Sequence, residues 1–190
     1  MDYARIAPIV SQLWAPLAAV STAWRARGNA QITLAIAGAS IVPSRPRVVV
    51  QLYKTDLTHE MVLQSGVFAV NFLRADQLHL VRDLGFVSGR DRDKLASVPH
   101  RAGETGSPLF DECFGYLDCR VVNAMDGGDM TCFLADVVDG DTLGGEALTW
   151  ADARASLPAE WLEEWERKVR VEIQVSLSRM DAIDRAPWLG

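Results

Sequence analysis

At 190 residues, 49% hydrophobic and 23% charged, the chain has the composition of one globular domain able to bury about two-thirds of its unfolded surface, which excludes a disordered or fibrous protein. A net charge of −6 and the lack of a dense Lys/Arg stripe exclude a general nucleic-acid surface. Cys113, Cys119 and Cys132 show no CxxC spacing and, being odd in number, close no disulfide framework, so a reducing cytoplasm is expected.

In chain order, residues 1–14 form a short lead-in that has neither the sustained apolar run nor the cleavage site of a signal peptide. PLAAVSTAW (16–24) reads as a strand ended by the turn signal RARGN. ITLAIAGASIV (32–42) reads as the second strand; its Ala35, Ala37, Gly38 and Ala39 cluster where either a packed strand or something bulky approaches the backbone. The uncharged run at 28–44 is too mixed and too short to span a bilayer, and a soluble protein without a membrane partner is expected. PSRPR then breaks the pattern, and VVVQLY (48–53) resumes it as a β-branched strand.

The next stretch organises the chain. Lys54 and Thr55 precede Asp56, which caps a helix over 57–65 with Leu57, Met61 and Val62 on one face and Gly66 as its stop. A helix N-terminus exposes unpaired N–H groups, and here an ammonium and the Thr55 and Thr58 hydroxyls flank it, which suits a phosphate monoester. The same residues also suit an ordinary cap and first turn. VFAVNFL (67–73) is a further strand, in which the Asn71 amide either pairs with backbone across a barrel or faces a polar ligand.

Residues 76–84 read as a second helix closed by Gly85, SGRDRDK (88–94) as a solvated charged connection, and 97–111 as a long surface loop. Residues 113–125 and 130–140 form the clearest hairpin, joined by DGGD. In the tail, Pro158 opens an amphipathic helix with Trp161, Leu162 and Trp165 on one side, and strict alternation over 169–177 reads as a strand. About six strands, two short helices and a helical tail favour a mainly β, closed antiparallel barrel over a doubly wound fold.

GxGxxG, GxxxxGK[ST], HExxH and GxSxG are all absent. His59, His79 and His100 have no metal-ligand spacing and read as surface or boundary residues, and no metal site is expected.

Four ordered segments carry a resemblance: KTDLTHEMVLQSGVFAVNFL, GFVSGRDRDKL, GSPLFDECFGYLDCRV and DGGDMTCFLADVVDG. Together they resemble the flavin reductase family with the FMN-binding split barrel, in particular its flavoredoxin-like branch. The resemblance implies a six-stranded Greek-key split barrel over residues 1–155, with 156–190 as a C-terminal extension of helix and strand packing on the barrel or the dimer partner. It also implies a homodimer with one FMN, or FAD, per protomer at the interface. In such proteins the phosphate site matches Lys54, Thr55 and Thr58, and the ring lies against the second strand, here Thr33, Leu34, Ala35, Ile36, Ala37 and Gly38. Asn71 and Lys94 would support the polar edge, and Trp161, Trp165 and Trp188 of the extension would cover either the partner barrel or the flavin entrance.

Where the family usually reads Gly-Asp-His, this chain has Gly128, Asp129 and Met130 at the flavin edge. Methionine neither titrates nor donates a hydrogen bond, so a role that needs an imidazole is lost there. The resemblance implies an FMN-dependent oxidoreductase that passes hydride or electrons from NAD(P)H or a protein donor to an acceptor, such as an electron-acceptor protein or an oxygenase. No side chain is expected to act as a catalytic acid or base, because the flavin carries the redox chemistry. Two alternatives stand beside it: a flavin-binding electron carrier or binding protein without NAD(P)H turnover, and a structural dimer without flavin.

Overall fold

The computed structural model describes Arg5, residues 17–180 and residues 182–184; the rest of the lead-in, Pro16 at the expected start of the first strand, and Trp188 lie outside the described residues. Strands β1 (Ala18–Trp24) and β2 (Arg27–Thr33) form a hairpin through Arg25 and Ala26, both left-handed at φ 50° and 61°. Two consecutive positive φ angles match the twist of a two-residue hairpin. The glycine of RARGN is therefore not the turn: Gly28 already lies in β2, where an added Cβ would come within 2.9 Å of Leu95 Cδ1. Reading that glycine as a turn placed the second strand several residues too late.

The chain continues through β3 (Ile36–Gly38), β4 (Arg47–Tyr53), α1 (Leu57–Ser65) and β5 (Val67–Phe72). A 3-10 turn (Ala75–Gln77), α2 (Leu78–Gly85), β6 (His100–Ala102), β7 (Pro108–Phe110), β8 (Gly115–Asp126) and β9 (Met130–Thr142) follow, then α3 (Trp150–Ser156) and α4 (Ala159–Leu177). The main sheet is antiparallel, in the order β2-β1-β5-β8-β9-β4-β3. Its edges β2 and β3 are consecutive in the chain, parted only at Leu34 and Ala35, and Gln51 N donates to Ala35 O at 3.0 Å. The sheet thus curls until its two ends meet, a split barrel of Greek-key order. Seven strands stand where six are expected because the second strand breaks at that junction.

Alternation divides each strand between two cores. Val20, Val50, Leu52, Phe68, Val70 and Phe133 fill the barrel, which Val62 of α1 plugs. The opposite face sets Ala19, Ala69 and Leu73 against Leu80, Val81 and Leu84 of α2 and against Leu109 and Phe110 of β7. Phe68, Phe110 and Phe133 are fully buried, each stabilising the fold by roughly 1.5–3 kcal/mol relative to exposure.

Three expectations are corrected here. Residues 97–111 are not a plain surface loop: β6 and β7 pair as a small ribbon, and Leu109 and Phe110 are buried. His59 is no boundary residue, being 5% exposed with Nε2 at 2.8 Å from Thr131 Oγ1. The alternating segment 169–177 is not a strand but the second half of α4. It follows the helix formers EWLEEWERK without glycine or proline, and the pairs Lys168–Glu172 (2.6 Å) and Arg170–Glu166 (3.8 Å) lie one helical turn apart. No helix among the described residues is long and apolar enough to cross a membrane.

Candidate functional site

A cleft of about 800 Å³ opens beside the end of β2. Its walls are β2 and the β2–β3 junction, the first turn of α1, the end of α2 with Ser88–Arg90, the β8–β9 turn at Asp129 and Met130, and α4.

Strand β2 sends Asn29, Gln31 and Thr33 to this side at the strand period of two, and all three are buried. Buried polar side chains need partners, and the first turn of α1 supplies two. Asn29 Nδ2 donates to Thr58 Oγ1 at 2.8 Å, and Gln31 Nε2 donates to Asp56 Oδ2 at 2.9 Å. Asp56 holds the N-cap position in extended conformation, but its side chain makes no cap bond. The first N–H groups of α1 thus have no side-chain cap, and Leu57 and Thr58 of that turn line the cleft. Two oxygens in the cleft wall are buried without a partner, Gln31 Oε1 and Thr55 Oγ1. Burial pushes the Asp56 carboxyl up; Lys168 opposes the shift and Glu172 adds to it.

The SGRDRDK segment is more than a solvated connection. Gly89 packs so closely on Asn29 that an added Cβ would lie 2.1 Å from its Oδ1, and Arg27 donates to the Gly89 carbonyl. Arg90 Nη1 donates to Thr55 O at 3.0 Å and its other nitrogen pairs with Glu60. Lys94 Nζ turns inward to Ala30 O (2.9 Å) and Leu84 O (2.6 Å), and burial lowers its pKa to about 8.

Of the positions singled out from sequence, Thr33, Leu34, Ala35, Thr55, Thr58, Lys94 and Met130 line the cleft. Five others do not. Ile36 packs on the barrel core, while Ala37 and Gly38 are exposed on β3. Lys54 turns to the β8–β9 turn and meets Asp126 Oδ1 at 2.5 Å, a bond that holds the Asp126 carboxyl down at about 2. Asn71 is fully buried under the β6–β7 ribbon: its Oδ1 accepts from Phe110 N (2.8 Å) and its Nδ2 donates to Ser21 Oγ (2.9 Å). Its two alternatives resolve to the first, backbone pairing.

Sequence reasoning missed Asn29, Gln31, Tyr53 and the α4 residues Lys168 and Glu172. The polar residues of NAQIT, alternating at period two, were a usable signal for the first pair. Lys168 and Glu172 had none: Lys168 stands in a run of charged helix residues, and Glu172 falls in the segment read as a strand. Among the described residues no cluster of three or more His, Cys, Asp or Glu could hold a metal ion.

A curled Greek-key sheet with a helix N-terminus opening on a cleft at the second strand places the chain among split-barrel proteins. Residues 10–156 match the family described as the flavin reductase like domain. The chain belongs to that family. A ferric-chelate reductase (NAD(P)H) of Archaeoglobus fulgidus is 32% identical over 113 residues, 57% of this chain and 67% of that protein. The reductase component of a 4-nitrophenol 4-monooxygenase/4-nitrocatechol 2-monooxygenase of Rhodococcus opacus is 30% identical over 115 residues, 60% of each chain. Among solved structures, an FMN-binding protein of Thermus thermophilus is similar with a TM-score of 0.63 and 26% identity, over 67% of this chain and 71% of its own. The chain spans between half and two thirds of the length of the first relatives it matches.

Proposed function

We propose that this protein is a flavin-dependent oxidoreductase that holds FMN in the cleft beside β2. The observation that carries the reading is a pair of buried, unpartnered oxygens, Gln31 Oε1 and Thr55 Oγ1, beside the open first turn of α1. Buried polar atoms of this kind call for partners from a ligand: the Gln31 amide oxygen needs a donor and the Thr55 hydroxyl can donate, and a flavin mononucleotide has hydroxyl and N–H donors, a flat ring and a terminal phosphate that accepts. Thr55, Thr58 and the α1 amides receive the phosphate. Asp56 is the anion at that end; burial raises its pKa, and the Lys168 charge and the hydrogen bond from Gln31 Nε2 offset part of its charge. Thr33, Leu34 and Ala35 back the ring, and Gln31 Oε1 accepts from the ligand. Lys94 braces β2 against α2 rather than pointing freely into the cleft.

Bound flavin supplies hydride and single-electron chemistry; the chain's residues bind, orient and exclude water. NADH or NADPH is the proposed donor, and the acceptor an electron-accepting protein or an oxygenase, as the Rhodococcus relative's name indicates for that protein. The proposed assembly is a homodimer. Met130 on the cleft wall favours a second reading, a flavin carrier without nicotinamide turnover, because no proton can be held or moved at its thioether.

The visible spectrum of the purified protein after incubation with FMN, before and after NADH or NADPH, tests both. Bound flavin bleached by NAD(P)H supports the reductase, bound flavin left oxidised supports the carrier, and no bound flavin removes both. Replacing both hydroxyls, Thr55→Val with Thr58→Val, is expected to weaken FMN binding at least about tenfold. Unchanged affinity in a flavin-fluorescence titration would remove the phosphate assignment.

A further inference from the structure

The helix α4 lies beyond residues 10–156, the part of the chain matched to the family, yet it forms a wall of the cleft. Trp165, Lys168, Val169, Glu172, Ile173 and Ser176 all face it, at the three- and four-residue steps of one helix face. The start of α4 is anchored on the outer core, and the segment after its end is tied to the β8–β9 turn, where Asp184 N donates to Asp126 Oδ2 at 3.0 Å. Trp161 and Leu162 pack on the outer core, Arg82 stacks over Trp161 at 5.0 Å, and the Trp165 and Trp150 rings meet at 5.4 Å. Beyond Trp165 no α4 residue is fully buried, and the cleft stands between the helix and the barrel.

The cations around the cleft are not equivalent. Arg90 is engaged by Thr55 O and Glu60, and Lys94 by Ala30 O and Leu84 O. Arg154, exposed on α3, also lines the cleft. Lys168 lines the same cleft as Thr55, Asp56, Leu57 and Thr58 at the start of α1, and its charge acts on Asp56 and Lys94. Its partner is Glu172 of its own helix, at 2.6 Å on a partly exposed surface, so it can turn to a ligand without untying two walls of the cleft.

We propose that α4 completes the flavin site, with Lys168 turning from Glu172 to the phosphate at the first turn of α1 and Trp165 covering the flavin from the outer side. This rests on the flavin reading above. Lys168 thereby takes the part that sequence reasoning gave to Lys54, whose ammonium is held by Asp126 outside the cleft.

The test compares FMN with riboflavin, which lacks the phosphate, on the full chain by fluorescence titration, alongside amide exchange of α4. Lys168→Ala is expected to weaken FMN binding about tenfold and leave riboflavin binding unchanged, with Lys168→Arg restoring most of the loss. Trp165→Leu is expected to weaken both ligands, and FMN is expected to slow amide exchange over 165–176. FMN binding that is untouched by Lys168→Ala, with α4 exchange indifferent to the ligand, would overturn the inference and leave the flavin reading standing. If the unmodified chain binds neither ligand, the flavin reading fails and the inference with it.

Discussion

His59 shows how one buried group ties stability to acidity. Burial takes its imidazole down to about 4 from the usual 6.5, with the Lys54 charge adding to the shift. A folded pKa below the unfolded one means that the unfolded chain binds the proton first. Stability from this residue is therefore full above about pH 6.5 and is lost as the pH falls toward 4. Denaturant midpoints measured between those values should fall with pH in the parent and much less in His59→Gln; parallel slopes would exclude His59 as the source. Gly89 argues in the same way from space. A Cβ there meets Asn29 Oδ1 at 2.1 Å, inside a contact whose other end is Thr58. Gly89→Ala is expected to cost about 1–3 kcal/mol through overpacking and to weaken FMN binding. A variant with parent stability and affinity would show that the loop yields freely. For Asn71 the expectation is the reverse: Asn71→Ala should destabilise by about 1–3 kcal/mol, because the ribbon's buried groups lose their partner, and should leave the flavin affinity of the folded fraction unchanged.

Among the elements, α4 is where local pattern and outcome part. Val169, Val171, Ile173, Val175 and Leu177 alternate as in a strand, but a strand is held by an edge that offers it hydrogen bonds, whereas a helix satisfies its own. Wound as a helix, the alternation splits into Val169 and Ile173 toward the cleft and Val171, Val175 and Leu177 toward solvent. Val171→Pro should remove helical ellipticity at a local cost of about 3 kcal/mol while the barrel's cooperative unfolding stays at its parent midpoint. Unchanged ellipticity would count against the helix. The α1 element was more legible: Asp56, the apolar face and Gly66 mark both ends, and the structure has Leu57–Ser65 with Gly66 left-handed at φ 68°.

At the scale of the whole molecule, the proposed homodimer gives a plain expectation: sedimentation equilibrium should return twice the 20.9 kDa of the chain, and a monomer across micromolar concentrations would exclude it. The composition, the strand count and the DGGD hairpin were enough to indicate a mainly β antiparallel barrel, since strand alternation and turn residues are local properties, and the resemblance carried by four ordered motifs implied its split form. Local properties also located the α1 helix and the threonines around its first turn. Which side chains meet in the cleft was decided only by tertiary structure. Lys54 and Lys94 look alike as sequence, yet Asp126 draws one away and the Ala30 and Leu84 carbonyls draw the other in. Asn71 and Gln31 are both buried amides on strands, yet the β6–β7 ribbon satisfies the first and leaves the second with an open oxygen. The physical reason is the same in each case: a polar group's role is set by the partners that burial brings to it, and those partners come from segments far apart in the chain.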